Sequence, residues 1–181
     1  GKSTVLQAFD FIGHLATGDI EDWLKQREWK KSDLTSHSLN QQLIRFGLVF
    51  ELPDGGTVRW VGAFNPSQMK CTAELVEVDG KLRVLEAGNG RLQVMGGDSG
   101  ESVNYPLRSI KYTGSTLSFI EVRGLHEALT ALKHAAANLR SFDMLTPQAM
   151  RRRAKEASDI GQGGERLGAY LHGLDGAARE A

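Results

Sequence analysis

The chain has 181 residues, in which 22 Lys and Arg balance 22 Asp and Glu, and 40% of the residues are hydrophobic. This length is enough for one sizeable hydrophobic core, or for one core with an additional lobe. Balanced charge argues against a dedicated nucleic-acid binder, which needs an excess of Lys and Arg on one face, although a local basic strip stays open. A lone cysteine, Cys71, excludes an internal disulfide and a cysteine-rich zinc site and fits a reducing compartment.

The sequence indicates neither a secretory leader nor a membrane segment. It has no apolar run of roughly 18 residues, the length typical of a membrane span. Its N-terminus does not combine basic residues, an apolar stretch and a small-residue cleavage site. We therefore expect a soluble, cytoplasmic protein.

The N-terminal region is predicted to be helical. Apolar side chains from Val5 to Ala16 recur at the spacing of one helical face, and Gly18 ends the pattern. Residues 19–42 alternate charged side chains with apolar anchors and then become polar. This pattern predicts a short helix followed by a connector.

From Leu43 the hydrophobic period changes from about 3.6 to 2, which is typical of strands with one buried face. Turn residues separate the successive strands, and Asp79-Gly80 and Gly88-Asn89-Gly90 are strong hairpin signals. The sequence therefore predicts an antiparallel meander. Its predicted strands are 43–52, 58–64, 70–78, 81–87 and 91–95, followed by two weaker ones at 103–110 and 115–122.

Helical spacing returns in the last third of the chain. Apolar residues from Leu125 to Leu139 predict one helix. Thr146-Pro147 has the pattern of a helix cap with proline at the first helical position, and predicts a second helix to Ala157. A last helix is predicted from Leu167, ending near the glycines at 173–176.

The first four residues carry the most informative motif. In a phosphate-binding loop of the form G-x-x-x-x-G-K-[ST], backbone N–H groups cradle the phosphates, Lys neutralises the β/γ oxygens, and Ser or Thr ligates magnesium. Gly1, Lys2 and Ser3 match the last three positions, and the predicted helix starts immediately after them. An ordinary helix entry or a cloning remnant is the alternative interpretation.

Gly1-Lys2-Ser3-Thr4 followed by Val-Leu-Gln-Ala-Phe-Asp-Phe-Ile resembles the loop and first helix of the ABC-type ATPases related to RecF and SMC proteins, often called AAA-family ATPases. Residues 139–151 and 160–172 resemble that family's Pro-x-x-hydrophobic-Arg element and its Gly-x-x-Leu-Ala-x-x-Leu helix. The family also has an antiparallel lobe between these regions. The resemblance spans nearly the whole chain, although its middle matches only in layout.

The resemblance implies a fold, a cofactor and partners. The implied fold is an incomplete P-loop lobe of the α/β class, or of the α+β class if only the elements present in this chain are counted. Its parts are a loop remnant, first helix and connector at 1–42, an antiparallel β subdomain at 43–122 and helices at 123–181. By resemblance, Lys2 holds the β/γ phosphates of ATP, Ser3 ligates Mg²⁺, and Gly1 and Thr4 shape the loop and contact phosphate. ATP then closes a head-to-head homodimer and acts on a DNA or protein partner.

The chain also departs from this family. ATP hydrolysis there needs a Ser-rich signature loop, an apolar run ending in Asp-Glu and a switch histidine, and none is found in this sequence; Thr113-Gly114-Ser115 is not a convincing substitute for the signature. The chain is therefore expected to be an N-terminal portion that begins inside the phosphate loop. Alone it is expected to be inactive, and its catalytic residues are unknown.

Two other function classes stay open. In a non-enzymatic β-rich interaction domain, the first four residues are incidental and the glycine loops at 88–100 form a binding rim. In a nucleic-acid module, Arg140 and residues 151–155 contact phosphates and binding falls steeply with salt. The arginine run is more often a solvated helix face.

The remaining candidates have structural interpretations. Cys71 lies in a strand pattern, which predicts a buried thiol rather than a nucleophile. Trp60 alternates with apolar residues, which predicts a core position. The histidines are too scattered for a metal site and are predicted to be solvated or capping: His14, His37, His126, His134 and His172.

Overall fold

A computed structural model describes residues 2–35, 42–52, 55–97, 100–139, 164 and 166–178. The chain forms two compact units, one made of residues 1–7 with 140–181 and the other of residues 8–139. The second unit contains a six-stranded sheet and its helices, so the predicted mixture of helices with an antiparallel sheet is confirmed.

The described helices are α1 (Lys2–Thr17), α2 (Ile20–Gln26), α3 (Glu127–Ala137) and α4 (Leu167–Ala178). α1 ends where predicted, because Gly18 adopts a φ of 82° and its N–H donates to the carbonyl of His14 at 3.0 Å. The predicted end of α4 near 173–176 is wrong, since the helix continues to Ala178. Each internal glycine costs only about 1 kcal/mol relative to alanine, which weakens a helix without ending it. The predicted helix at 146–157 lies outside the described residues.

The sheet is an antiparallel meander in sequence order, as predicted. Asn89-Gly90 has positive φ at both positions, as the two-residue turn between Gly88 and Arg91 requires. Asp79-Gly80 also has positive φ at both positions, within the three-residue connection between Val78 and Leu82. The six strands are β1 (Ile44–Glu51), β2 (Thr57–Asn65), β3 (Lys70–Val78), β4 (Leu82–Gly88), β5 (Arg91–Met95) and β6 (Ser102–Pro106).

The two weaker strand predictions need correction. Strand β6 ends at Pro106 and is followed by a 3-10 turn at Leu107–Ser109, so the predicted strand 103–110 is right only in its first half. The predicted strand 115–122 is wrong. Its start forms a 3-10 turn at Thr116–Ser118, because the Ser115 hydroxyl accepts a hydrogen bond from the Leu117 N–H at 3.0 Å.

Helices α1, α2 and α3 bury apolar side chains in one core with the inward face of the sheet. The ring of Phe11 in α1 meets the ring of Phe64 in β2 edge-on, with centroids 5.4 Å apart, and Trp60 is fully buried as predicted. No helix in the described ranges is long and apolar enough to cross a bilayer.

Candidate functional site

The predicted phosphate-binding motif lies at the start of α1. Lys2, Ser3 and Thr4 form the first turn of this helix, and Gly1 lies outside the described residues. The turn contains no acidic residue. Free N–H groups and the helix dipole attract anions at such an end, so the backbone is compatible with the phosphate contact predicted for Lys2. The nucleotide and magnesium assignments stay predictions.

Three apolar side chains of α1 remain exposed. Val5 is 56% exposed, Leu6 55% and Phe9 42%. On the same helix, Phe11, Ile12 and Leu15 lie in the core. Apolar residues therefore extend around α1 beyond the surface that packs on the described sheet.

A buried charge cluster joins α1 to α2. Asp10 is 1% exposed, and its Oδ2 accepts hydrogen bonds from Trp23 Nε1 at 2.6 Å and Arg27 Nη2 at 2.8 Å. One helical turn further, His14 Nε2 lies 3.7 Å from Asp10 Oδ1. The donors that surround Asp10 compensate for the loss of its hydration, so the cluster connects the two helices.

The prediction that His14 is solvated or capping is wrong. Its side chain is buried, and its Nδ1 lies 2.7 Å from Asp19 Oδ1, beyond the end of α1. The Thr17 hydroxyl donates to the same carboxylate. Burial raises the pKa of Asp19, but hydrogen bonds from His14 and Thr17, together with the charge of His14, outweigh burial and lower it.

A second buried carboxyl, Glu74, lies on the inward face of β3. Its Oε1 accepts from Trp60 Nε1 at 3.2 Å and from the Ser115 hydroxyl at 2.5 Å, and its Oε2 accepts from the Thr116 N–H at 2.7 Å. Burial raises the pKa of Glu74, although the hydrogen bonds from Ser115, Thr116 and Trp60 act in the opposite direction. This carboxyl fixes the segment 113–118 to the sheet.

The same segment also holds the C-terminal end of α1. The Ser115 N–H donates to the carbonyl of Leu15 at 2.8 Å, and the Thr113 hydroxyl donates to the carbonyl of Gly18 at 2.5 Å. A Cβ on Gly114 would lie 2.4 Å from the Leu15 carbonyl oxygen, so only glycine allows this close approach. Thr113-Gly114-Ser115 therefore has a structural role.

Cys71 is a buried thiol, as predicted. It is 1% exposed, and burial together with the nearby charge of Glu74 raises the pKa of the thiol well above its usual value. The Tyr112 hydroxyl donates to the Cys71 carbonyl at 2.7 Å, and burial raises the pKa of Tyr112 as well. Neither group has the environment of a nucleophile.

Among the other histidines, His126 caps α3 as predicted, because its Nδ1 accepts from the Ala128 N–H at 3.3 Å. His134 and His172 are exposed, and His37 lies outside the described residues. Within the described ranges, no group of three or more His, Cys, Asp or Glu side chains could hold a metal ion. The predicted basic residues Arg140 and 151–155 are also outside these ranges.

A polar groove of about 690 Å³ lies where the β4–β5 hairpin meets β6 and the turn that follows. Arg91 and Arg108 line it together with the side chains of Gln93 and Asn104, and we name it the arginine groove. Its rim includes residues 88–90, part of the glycine loops predicted to form a binding surface. The sequence did not single out these two arginines, which lie 17 residues apart.

Comparisons with known proteins identify no relative. No protein-family model matches the chain, and no curated protein or solved structure is significantly similar to it. Function is therefore inferred from the sequence resemblance and from the geometry of the described residues.

The roles of Asp10 and Glu74 were not predicted from the sequence, although both are carboxylates at positions where the sequence pattern places inward-facing side chains. Asp10 interrupts an apolar run between Phe9 and Phe11 on the predicted helix. Glu74 has the same strand parity as Val76, whose side chain is fully buried. A carboxylate at an inward position indicates a buried polar contact.

Proposed function

We propose that this chain is an ATP-binding part of a cytoplasmic ABC-type P-loop ATPase of the RecF and SMC class, which couples ATP binding and hydrolysis to a DNA- or protein-linked process. One observation carries the proposal: the Gly-Lys-Ser-Thr motif leads without a break into α1, which begins at Lys2. Lys2 would hold the β/γ phosphates, Ser3 would ligate Mg²⁺, and Gly1 and Thr4 would shape the loop.

Two features of α1 support this proposal. The first turn has no carboxylate to repel a phosphate. The exposed side chains Val5, Leu6 and Phe9 are what we expect of a helix that further structure covers in the intact ATPase. The antiparallel sheet that follows in sequence agrees with the layout of this class.

Turnover would require more than this chain supplies. Phosphoryl transfer depends on positioning and on neutralising charge around the phosphate, with carboxylates to hold the metal and orient the attacking water. The sequence has no apolar run ending in Asp-Glu. We therefore propose that residues outside this chain complete the phosphate loop and the catalytic site, and that ATP joins two such lobes head to head.

The test is Mg-ATP binding, by titration calorimetry, to the protein carrying its natural sequence upstream of Gly1. Lys2→Ala should weaken binding roughly tenfold or more, because it removes a charge-assisted contact to phosphate. Lys81→Ala, at an exposed lysine of the β3–β4 turn, is the matched control and should bind like the parent protein. Equal affinity in the Lys2→Ala and parent proteins would show that the assignment is wrong.

A non-enzymatic interaction domain is the second candidate, and the arginine groove at the predicted rim favours it. The natural upstream sequence distinguishes the two. An apolar strand followed by a glycine-bearing turn before Gly1 supports the ATPase, because the phosphate loop needs both. A start codon or an unrelated linker at that place supports the interaction domain.

A further inference from the structure

We propose that the arginine groove is a binding site for a phosphomonoester of nucleotide size. The site consists of residues from β4 to the turn after β6 and includes none of the residues assigned to ATP. The inference therefore does not depend on the proposed ATPase function.

Strand register places the polar side chains of the groove on one face. Gln93 pairs with Glu86 on one side and with Asn104 on the other, and Arg91 pairs with Pro106. Paired residues in antiparallel strands direct their side chains to the same face. Leu92, between Arg91 and Gln93, is fully buried, so the groove lies on the face opposite the core.

Arg108 reaches the groove from an anchored turn. The preceding residue, Leu107, is buried, and its N–H donates to the carbonyl of Gly90 at 2.9 Å. The side chain of Arg108 crosses Gly90 so closely that a Cβ there would lie 3.0 Å from both its Cγ and its Nε. Gly90 thus provides the space that brings Arg108 to the β4–β5 hairpin and the groove.

The charges in the groove are available to an anion. In the described part of the chain, neither Arg91 nor Arg108 forms an ion pair, whereas the carboxylate in the lining, Glu86, lies 3.3 Å from Arg83 Nη1. Guanidinium groups bind phosphate through paired N–H donors in a fixed planar geometry. Two unpaired arginines at one groove therefore indicate a phosphate ligand.

The size and lining of the groove indicate what the ligand carries besides its phosphate group. A volume of about 690 Å³ is in the range of roughly 300–1,000 Å³ that is typical of small-molecule sites. The amides of Gln93 and Asn104 offer donors and acceptors to a sugar or a base. None of the described lining residues is aromatic, which disfavours single-stranded nucleic acid, and balanced net charge disfavours a duplex.

The test uses the whole chain with Lys2→Ala, so that the predicted ATP contact does not contribute. Titration calorimetry at low ionic strength compares adenosine 5′-monophosphate, inorganic phosphate and adenosine. We expect the monophosphate to bind best, phosphate to bind more weakly, and adenosine not to bind. Arg91→Gln and Arg108→Gln should each lower the affinity for the monophosphate about tenfold.

Arg59→Gln is the matched control, because Arg59 is an exposed arginine on the same sheet face that pairs with Glu77 at 3.0 Å and is not part of the groove. It should bind the monophosphate like its parent. Gly90→Ala keeps both arginines but crowds Arg108 and strains the β4–β5 turn, where Gly90 has a φ of 76°, so it should also weaken binding, with an unchanged circular dichroism spectrum confirming the fold.

Three results would overturn the proposal. The first is a folded Arg91→Gln, Arg108→Gln double variant with unchanged affinity for the monophosphate. The second is a folded parent protein that binds neither phosphate nor the monophosphate. The third is tighter binding of a thymidine oligonucleotide than of the monophosphate, which would assign the groove to nucleic acid. Since Lys2 is already removed, none of these results bears on the ATP site.

Discussion

At the residue scale, the two buried carboxylates are compensated in different ways. Asp10 has a cationic partner, Arg27, in addition to the indole N–H of Trp23. Glu74 accepts only from neutral donors, which include the backbone N–H of Thr116. Neutral donors offset burial less than a full charge does, in keeping with the raised pKa of Glu74.

Glu74→Gln should lower the free energy of unfolding by about 1–3 kcal/mol. The carboxyl accepts hydrogen bonds at both oxygens, whereas an amide has one acceptor oxygen and an NH₂ group. The NH₂ group must replace either the oxygen that accepts from the Thr116 N–H or the oxygen that accepts from the Trp60 N–H. Whichever of these two N–H donors it faces is then buried without an acceptor. Urea denaturation followed by circular dichroism measures the loss.

Glu86→Gln is the control for this experiment. Glu86 is 55% exposed and pairs with Arg83 at the surface, where such an ion pair contributes only about 0–1 kcal/mol. Equal losses for the two variants would contradict a special role for the Glu74 contacts.

The burial of a single residue could be predicted from the sequence where it follows from the alternation of apolar and polar residues along a strand. Trp60 and Cys71 alternate with more exposed neighbours and are buried as predicted. The environments of Asp10 and His14 were not predictable in this way. The partners Trp23 and Arg27 are 13 and 17 residues from Asp10, and only the packing of α2 against α1 brings them together.

At the element scale, the position of α1 depends on close backbone contacts. A Cβ on Gly13 would lie 2.2 Å from the carbonyl oxygen of Leu139 and 3.2 Å from that of Ala136. Helix α1 therefore meets the C-terminal end of α3 at a point where a side chain does not fit. Both atoms belong to backbone, so neither can move aside by changing rotamer.

Gly13→Ala should destabilise the protein, although helix propensity alone favours alanine by about 1 kcal/mol. The overlap at 2.2 Å requires α1 and α3 to separate, and overpacking of this kind costs about 1–3 kcal/mol. We expect a net decrease in the thermal midpoint, measured by circular dichroism.

The control is Gly168→Ala in α4. A methyl group on this helical glycine would meet no heavy atom within 4 Å beyond its chain neighbours and the backbone of its own helix turns, so helix propensity should dominate and helix content should rise slightly. A Gly13→Ala protein as stable as its parent would mean that the close contact with Leu139 is easily relieved.

The reliability of sequence patterns also differs among elements. The turn at Asn89-Gly90 is set by two neighbouring residues, and the strands on either side of it were predicted within a residue or two. The segment 115–122 has strand-like composition, yet Glu74 and Ser115 bind its N–H groups and fold it into a turn. Hydrogen bonds to residues distant in sequence, such as Glu74, override the local strand preference and cannot be recognised from the local sequence.

At the scale of the whole molecule, hydrophobic periodicity predicted the class of fold and the strand order. The change of period after Leu43 separates the helical start from the meander, and both were confirmed. Periodicity identifies which side chains are buried, but not which distant residues meet in a groove. Arg91 and Arg108 line one groove because the turn after β6 returns to Gly90.

The buried thiol provides a test of the unit formed by residues 8–139 as a whole. Cys71 is the only cysteine in the sequence, and its N–H donates to the carbonyl of Gly114 at 2.7 Å in the interior of that unit. Burial both blocks access and raises the pKa of the thiol, so little reactive thiolate reaches solvent in the folded state.

We therefore expect a disulfide reagent at pH 8 to label Cys71 at least about 100-fold more slowly in native buffer than in urea, with the native rate set by opening of the core. Ser67→Cys in a Cys71→Ala background is the control, since Ser67 is exposed in the loop between β2 and β3 and should react at once in native buffer. Absorbance of the released thiol measures both rates. Rapid labelling of Cys71 in folded protein would mean that the core around this buried thiol opens far more readily than its 1% exposure implies.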